Sequence, residues 1–128
     1  MHDNQDKDKP IIKLETHSHN ITFEPETVRL IGEPRHIEFY WDGEQQRLCI
    51  AIKETASRYS TKLPTLSKKD PLRPSTVTEP ELVRFLANTL DWAKDRCYEA
   101  QGVFNEEEKI AAFNLSEAAE AGGWENAF

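Results

Sequence analysis

Two short segments of the chain resemble each other closely. FEPETVRLIG covers residues 23–32, TEPELVRFLA covers residues 78–87, and five of their ten positions are identical. In both, the Glu-Pro-Glu start places a proline in the first turn of a helix and an acid at the positive end of the helix dipole. A second copy of this start favours folds in which each half of the chain supplies a similar helix.

Each of the two segments precedes a predicted β-hairpin. After the first, apolar residues alternate with others in IEFYW and LCIAI, which lie on either side of Asp42-Gly43. Asp-Gly between two such runs is a strong short-range signal for a hairpin, and the additional residues after it imply a longer or bulged loop. After the second, RCYEAQGVF and EKIAAFNLSE flank a tip that contains three consecutive glutamates. Ahead of the first segment, IIKLET and NITF predict two strands joined by a turn at His17 and His19.

The repeated order of elements predicts an α+β, mostly β fold. We expect a small pseudo-two-fold barrel built from two strand–helix–hairpin repeats, because one hairpin is marginally stable in water and interlacing two removes exposed edges. The alternative is that Glu-Pro-Glu is merely a common helix start. The predicted boundaries are a disordered tail at 1–9, one domain at 11–120 (repeat one 11–54, basic linker 55–77, repeat two 78–120) and a C-terminal tail at 121–128.

The unit NITFEPETVRLIGEPRHIEFYWDGEQQRLCIAI resembles the AbrB/MazE-like swapped-hairpin module, here internally duplicated. That resemblance implies one small barrel from two interlaced hairpins, and fusion of both halves implies a monomer. The stretch YEAQGVFNEEEKIAAFNLSEA also resembles the tails of a group of small bacterial proteins. AbrB-like proteins present arginines to DNA near the start of the module, where this chain has only Lys7, Lys9 and Lys13 among acids. The resemblance therefore supports the fold more than DNA binding.

Charge is distributed unevenly along the chain. The net charge of −7 is the sum of −5 over residues 1–44, +5 over residues 45–75 and −7 over residues 76–128. Only the middle is able to attract phosphate by charge alone. The candidate nucleic-acid-binding residues there combine cations with one aromatic ring: Arg58, Tyr59, Lys62, Lys68, Lys69 and Arg73. The alternative is a solvated linker whose bases pair with the acidic hairpins.

Other candidate sites are weak. His17 and His19 lack a third metal ligand, and the consecutive glutamates at 106–108 point in different directions on a turn. The sequence contains no Gly-rich phosphate loop and no nucleophile elbow. We therefore predict neither enzyme activity nor a metal or cofactor. Cys49 and Cys97 are expected to be reduced thiols of a cytoplasmic protein, and no apolar run is long enough for a membrane span.

The sequence predicts a non-enzymatic protein-interaction domain of a small bacterial protein, offering a sheet edge or its acidic surface to a protein partner. The alternative is an AbrB/antitoxin-like transcriptional regulator that binds nucleic acid through the basic middle. The negative net charge favours protein interaction.

Overall fold

The first half of the chain forms two hairpins separated by a short helix. A computed structural model describes residues 9–120, so the predicted tails, apart from Lys9, lie outside the described residues. The elements of the first half are β1 (Ile11–Glu15), β2 (Asn20–Phe23), α1 (Pro25–Leu30), β3 (His36–Asp42) and β4 (Arg47–Lys53). These match the predicted order of two strands, a helix of about two turns and a hairpin.

The second half repeats that order with a longer helix. Its elements are β5 (Thr61–Lys62), β6 (Ser75–Thr78), α2 (Pro80–Thr89), β7 (Cys97–Asn105), β8 (Ile110–Asn114), a 3-10 helix (Leu115–Glu117) and β9 (Ala119–Glu120). Each helix is followed, two residues after its last residue, by a residue with positive φ: Gly32 at 93° after α1 and Asp91 at 55° after α2. Such a residue stops a helix, and glycine adopts this conformation most readily.

All the described strands belong to one antiparallel, nearly closed, barrel-shaped sheet. Its order is β5-β3-β4-β8-β7-β1-β2-β6, and β9 also pairs with β7. The mostly β prediction is therefore confirmed. Strands of the first half pair with strands of the second at β4·β8, β7·β1, β2·β6 and β3·β5. Neither half has a sheet of its own.

Side chains point alternately to the two faces of each strand, so one set of them lies in a shared core. On β3, Ile37 is fully buried and Phe39 packs against the core, whereas Glu38 lies on the outer face. Phe113 on β8 and Leu86 on α2 are also fully buried. Burying a side chain of this size contributes about 1.5–3 kcal/mol. The core thus depends on residues from both halves.

The two hairpin turns share one geometry. Asp42 Oδ1 accepts the backbone N–H of Gln45 at 3.3 Å, and Asn105 Oδ1 accepts the N–H of Glu108 at 3.1 Å. Each turn ends at a residue with positive φ, 54° at Gln46 and 57° at Lys109. Both predicted hairpins are confirmed, including the longer loop after Asp42.

The segment 55–77, predicted as a basic linker, also contributes to the barrel. It contains β5 and most of β6, and Leu63 between them is fully buried. Thr78 ends β6 and hydrogen-bonds Asn20 Oδ1 at 2.7 Å. It therefore does not cap α2, whose N-cap is Glu79.

Candidate binding groove

The barrel has a seam where its two terminal strands face each other. Within residues 9–120, β5 pairs only with β3 and β6 only with β2, so no ladder joins β5 to β6. Two side chains cross the seam instead. Ser75 Oγ donates to the carbonyl oxygen of Pro64 at 2.8 Å, and Thr61 Oγ1 donates to Glu79 Oε2 at 2.7 Å.

Backbone groups on both sides of the seam are directed into it. Glu79 donates its N–H to the carbonyl of His19 at 2.9 Å, and Leu63 donates to the carbonyl of Arg35 at 2.8 Å. Hydrogen-bonded positions alternate along antiparallel strands. By this alternation Lys62 on β5 and Thr76 on β6 occupy non-hydrogen-bonded positions, so their N–H and C=O groups point away from their partner strands and toward the seam.

Two adjoining cavities lie along this seam. One has a volume of about 590 Å³ and the other about 480 Å³, and both are lined by Pro64 and Thr65. We call them together the seam groove. Its lining is Arg35, Lys62, Leu63, Pro64, Thr65, Ser67, Arg73, Pro74 and Thr76. The lining includes three cations and no carboxylate.

The structure brings only part of the predicted site together in this groove. Lys62 and Arg73 line it, whereas Arg58 and Tyr59 lie in the turn before β5, and Lys68 and Lys69 lie in the loop before β6. All six of these side chains are exposed.

Sequence reasoning missed Arg35. It reaches the groove because β3 pairs with β5, a long-range contact that no local motif signals.

Within residues 9–120, the five candidate cations of the basic middle form no ion pair with the acidic hairpins. Among the described residues, no ion pair involves Arg58, Lys62, Lys68, Lys69 or Arg73. The ion pairs of this part of the chain belong to strand residues, as in Arg47–Asp42 at 3.0 Å and Lys53–Glu38 at 3.8 Å. The exposed cations thus retain their hydrogen-bonding capacity for an anionic ligand.

A buried carboxylate on the outer face of β3 holds the backbone near the start of the segment 55–77. Glu38, 8% exposed, accepts hydrogen bonds from Ser57 Oγ at 2.6 Å and from the Tyr40 hydroxyl. The Ser57 bond, followed by the Tyr40 bond, lowers the pKa of Glu38. The same Glu38 contact raises the pKa of Tyr40. Glu38 therefore stays ionised and fixes the backbone just ahead of β5.

The weak metal candidates have ordinary hydrogen-bond partners. His17 Nδ1 lies 2.9 Å from Asp95 Oδ1, and Asn105 Nδ2 donates to Glu108 Oε1 at 3.0 Å. No group of three or more potential metal ligands occurs within residues 9–120. Cys49 is a free thiol.

No helix in the described part of the chain is long and apolar enough to cross a membrane. Comparison of the chain with models of protein families, with curated proteins and with solved structures finds no match.

Proposed function

We propose that this chain is a non-enzymatic protein-interaction domain and that its seam groove binds an extended acidic segment of a protein partner. One observation carries the proposal: Arg35, Lys62 and Arg73 line a groove that no carboxylate lines, between two strand edges that are not paired with each other. Unpaired strand edges are the common docking sites for extended peptides, because backbone groups supply the hydrogen bonds.

An acidic segment matches the groove in two ways. Its carboxylates complement the three cations, and hydrogen bonds to charged groups contribute about 1.5–3 kcal/mol each. Its backbone N–H and C=O groups complement those of Lys62 and Thr76, which point toward the seam. Fixed proline rings at Pro64 and Pro74 limit the ordering cost of the groove on binding.

Single-stranded nucleic acid is the second candidate, and the exposed ring of Tyr59 favours it. Tyr59 is 76% exposed and Arg58 lies over its ring, a combination of an aromatic ring and a cation that suits stacking on a base. A phosphate backbone makes less use of strand-edge donors and acceptors than a peptide does. The net charge of −7 also opposes the approach of a polyanion. These two points favour the peptide.

We infer in addition that the domain derives from two fused copies of one unit, as the resemblance to the swapped-hairpin module implies. If β1 to β4 are exchanged in order with β5 to β8, the pairs β4·β8 and β2·β6 stay the same and the pair β1·β7 becomes β5·β3. Two backbone bonds support the same exchange: Ile52 N–H to Lys109 O at 2.9 Å, and Leu115 N–H to Gln46 O at 3.0 Å. The separation in sequence between Ile52 and Leu115 equals that between Gln46 and Lys109, so the exchange converts each of these two bonds into the other.

The binding proposal is tested with three labelled probes at ~50 mM salt, where electrostatic contacts are strongest. They are a peptide that alternates Glu with Val, the same peptide with Lys in place of Glu, and oligothymidylate. We expect the acidic peptide to bind, the basic peptide not to bind, and the double variant Lys62→Glu/Arg73→Glu to lose at least about tenfold in affinity, or ~1.4 kcal/mol.

The matched control is Lys94→Glu, an exposed cation outside the groove. This variant makes the same Lys-to-Glu charge change as Lys62→Glu without altering the lining of the seam groove, so its affinity for the acidic peptide should remain close to that of the wild type. Equal binding of the acidic and basic peptides would rule out the peptide proposal. Tighter binding of oligothymidylate, lost in the double variant, would select the nucleic-acid candidate instead.

A further inference from the structure

We infer that residues 57–60 form a preformed anchor that holds Arg58 and Tyr59 against an acid and a neighbouring aromatic side chain of the bound segment. The anchor immediately precedes β5, so it lies at the Lys62 end of the seam groove. The identity of the ligand rests on the proposed function. The geometry of the anchor does not, and it is testable in the free protein.

The anchor is attached to the barrel through Glu38. Glu38 is 8% exposed although it lies on the outer face of a strand, and Ser57 of the anchor contacts its carboxylate directly. Its two oxygens are used separately: Oε2 accepts from Ser57 Oγ at 2.6 Å, and Oε1 accepts from Tyr40 and lies 3.8 Å from Lys53 Nζ. A buried carboxylate satisfied in this way resists displacement, since losing a partner would leave a charge without its hydrogen bond.

The anchor is also closed by bonds within itself. Ser57 donates its N–H to Ser60 Oγ at 2.8 Å, and Ser60 Oγ donates to the Ser57 carbonyl at 3.1 Å. Tyr59 donates its N–H to Ser57 Oγ at 3.3 Å. Both serines therefore fix the backbone that carries Arg58 and Tyr59, without help from a partner molecule.

The side chains presented by this backbone are of the kinds that dominate protein interfaces. Arg58 lies over the ring of Tyr59, with 5.8 Å between the guanidinium carbon and the ring centroid. Tyr59 is 76% exposed, and no carboxylate among the described residues pairs with Arg58. Arginine and tyrosine are enriched among hot-spot residues, and prior ordering reduces the entropic cost of binding.

This arrangement specifies features of the ligand. A guanidinium that has no carboxylate partner within the described residues is able to bind the carboxylate of a ligand through two parallel hydrogen bonds. The exposed Tyr59 face next to it takes a flat apolar group, and aromatic pairs are favoured beyond their buried area. We therefore expect the partner segment to carry an aromatic residue beside an acid, at the end that leaves the groove near Lys62.

The first test measures the anchor in the free protein. Amide hydrogen exchange at Ser57 and Tyr59 is compared in the wild type, Ser57→Ala and Glu38→Ala, with Glu54→Ala as an exposed control. We expect exchange at Tyr59 to accelerate at least about threefold in both anchor variants and to be unchanged in the control. Ser57→Ala leaves the barrel strands intact, so it remains decisive if Glu38→Ala folds poorly. Unchanged exchange in Ser57→Ala would overturn the anchor.

The second test measures the contact with the ligand by a double-mutant cycle. The Glu/Val peptide is prepared with a Trp-Glu or an Ala-Glu end and is titrated against the wild type, Tyr59→Ala and the control Val103→Ala. We expect the Trp end to raise affinity at least about threefold for the wild type and the control, and not at all for Tyr59→Ala. An equal gain in all three proteins would overturn the contact. If no acidic peptide binds, the proposed function fails together with the identity of the ligand, whereas the exchange test still decides on the anchor.

Discussion

Ser75 Oγ donates a hydrogen bond of 2.8 Å to the carbonyl oxygen of Pro64, and this bond crosses the seam at which β5 and β6 are not paired by their backbones. The barrel is thus closed there by side chains rather than by a ladder. Segments with few backbone bonds open locally at a lower free-energy cost than core strands. The seam groove therefore lies along the line where the barrel opens most readily.

The contribution of the seam bond is measurable in Ser75→Ala. Ser75 is 3% exposed, so removing its hydroxyl leaves the Pro64 carbonyl without a buried donor. We expect a loss of about 1–2 kcal/mol in the free energy of unfolding. Urea denaturation followed by circular dichroism provides the measurement. The control Thr76→Val removes an exposed hydroxyl of the same strand and should change stability by less than about 0.5 kcal/mol.

Close packing between β7 and β8 leaves no room for a side chain at Gly102. A Cβ atom at this position would lie 2.4 Å from the carbonyl oxygen of Ala112 and 2.7 Å from the Phe113 ring. Because backbone forms one side of this contact, the sheet itself would have to shift. Gly102→Ala should lower the free energy of unfolding by about 1–3 kcal/mol.

The matched control is Gly43→Ala, where the added Cβ would meet Trp41 Nε1 at an ordinary 3.4 Å. Thermal denaturation of both variants is the measurement. Equal midpoints for the two would show that β7 and β8 move apart without cost.

Local signals explain why the hairpins were predictable. Asp42 and Asn105 supply side-chain acceptors that build the turns, and apolar alternation defines the strands on either side. Thr78 and Glu81 have the S/T-x-x-E spacing of a capping box, but Thr78 extends β6 instead, where its hydroxyl donates to Asn20 Oδ1 from another part of the chain. A pairing partner distant in sequence decided that outcome.

The seam groove was predictable only in part. Lys62 and Arg73 belong to a run of cations that is visible in the sequence. Their assembly with Arg35 depends on β5, a strand of two residues that pairs with β3. Propensity does not identify so short a strand. Glu38 likewise has no distinguishing signal in the sequence, since its contact with Ser57 joins residues that lie far apart in the chain.

The lowered pKa of Glu38 predicts a pH dependence with a definite sign. A carboxyl group whose pKa is lower in the folded than in the unfolded state stabilises the fold above its unfolded pKa, about 4.3. That contribution is lost as the pH falls through the folded-state pKa. Wild-type stability should therefore exceed that of Glu38→Gln at pH 7, and the difference should shrink below about pH 4. Urea denaturation across this range is the measurement, and a constant difference would contradict an ionised Glu38.

Pairing between the halves predicts that neither folds alone. A fragment of residues 1–56 keeps β1 to β4 but loses the partners of β1 at β7, of β2 at β6 and of β4 at β8. It would expose the buried faces of Ile12 and Ile50 to water, and an isolated pair of hairpins is at best marginally stable. We expect circular dichroism and NMR dispersion of an unfolded chain for this fragment, and for residues 57–128.

Mixing the two fragments should restore the dispersed spectrum, because each supplies the strands that the other lacks. As a control for the chain break itself, a protease site is inserted after residue 56 and the folded full-length chain is cut there. Residues 54–59 are exposed, so a cut leaves the core intact. If fragment 1–56 folded cooperatively alone, the strands of the first half would form a stable core without β6, β7 and β8. That result would contradict a barrel whose interior depends on both halves.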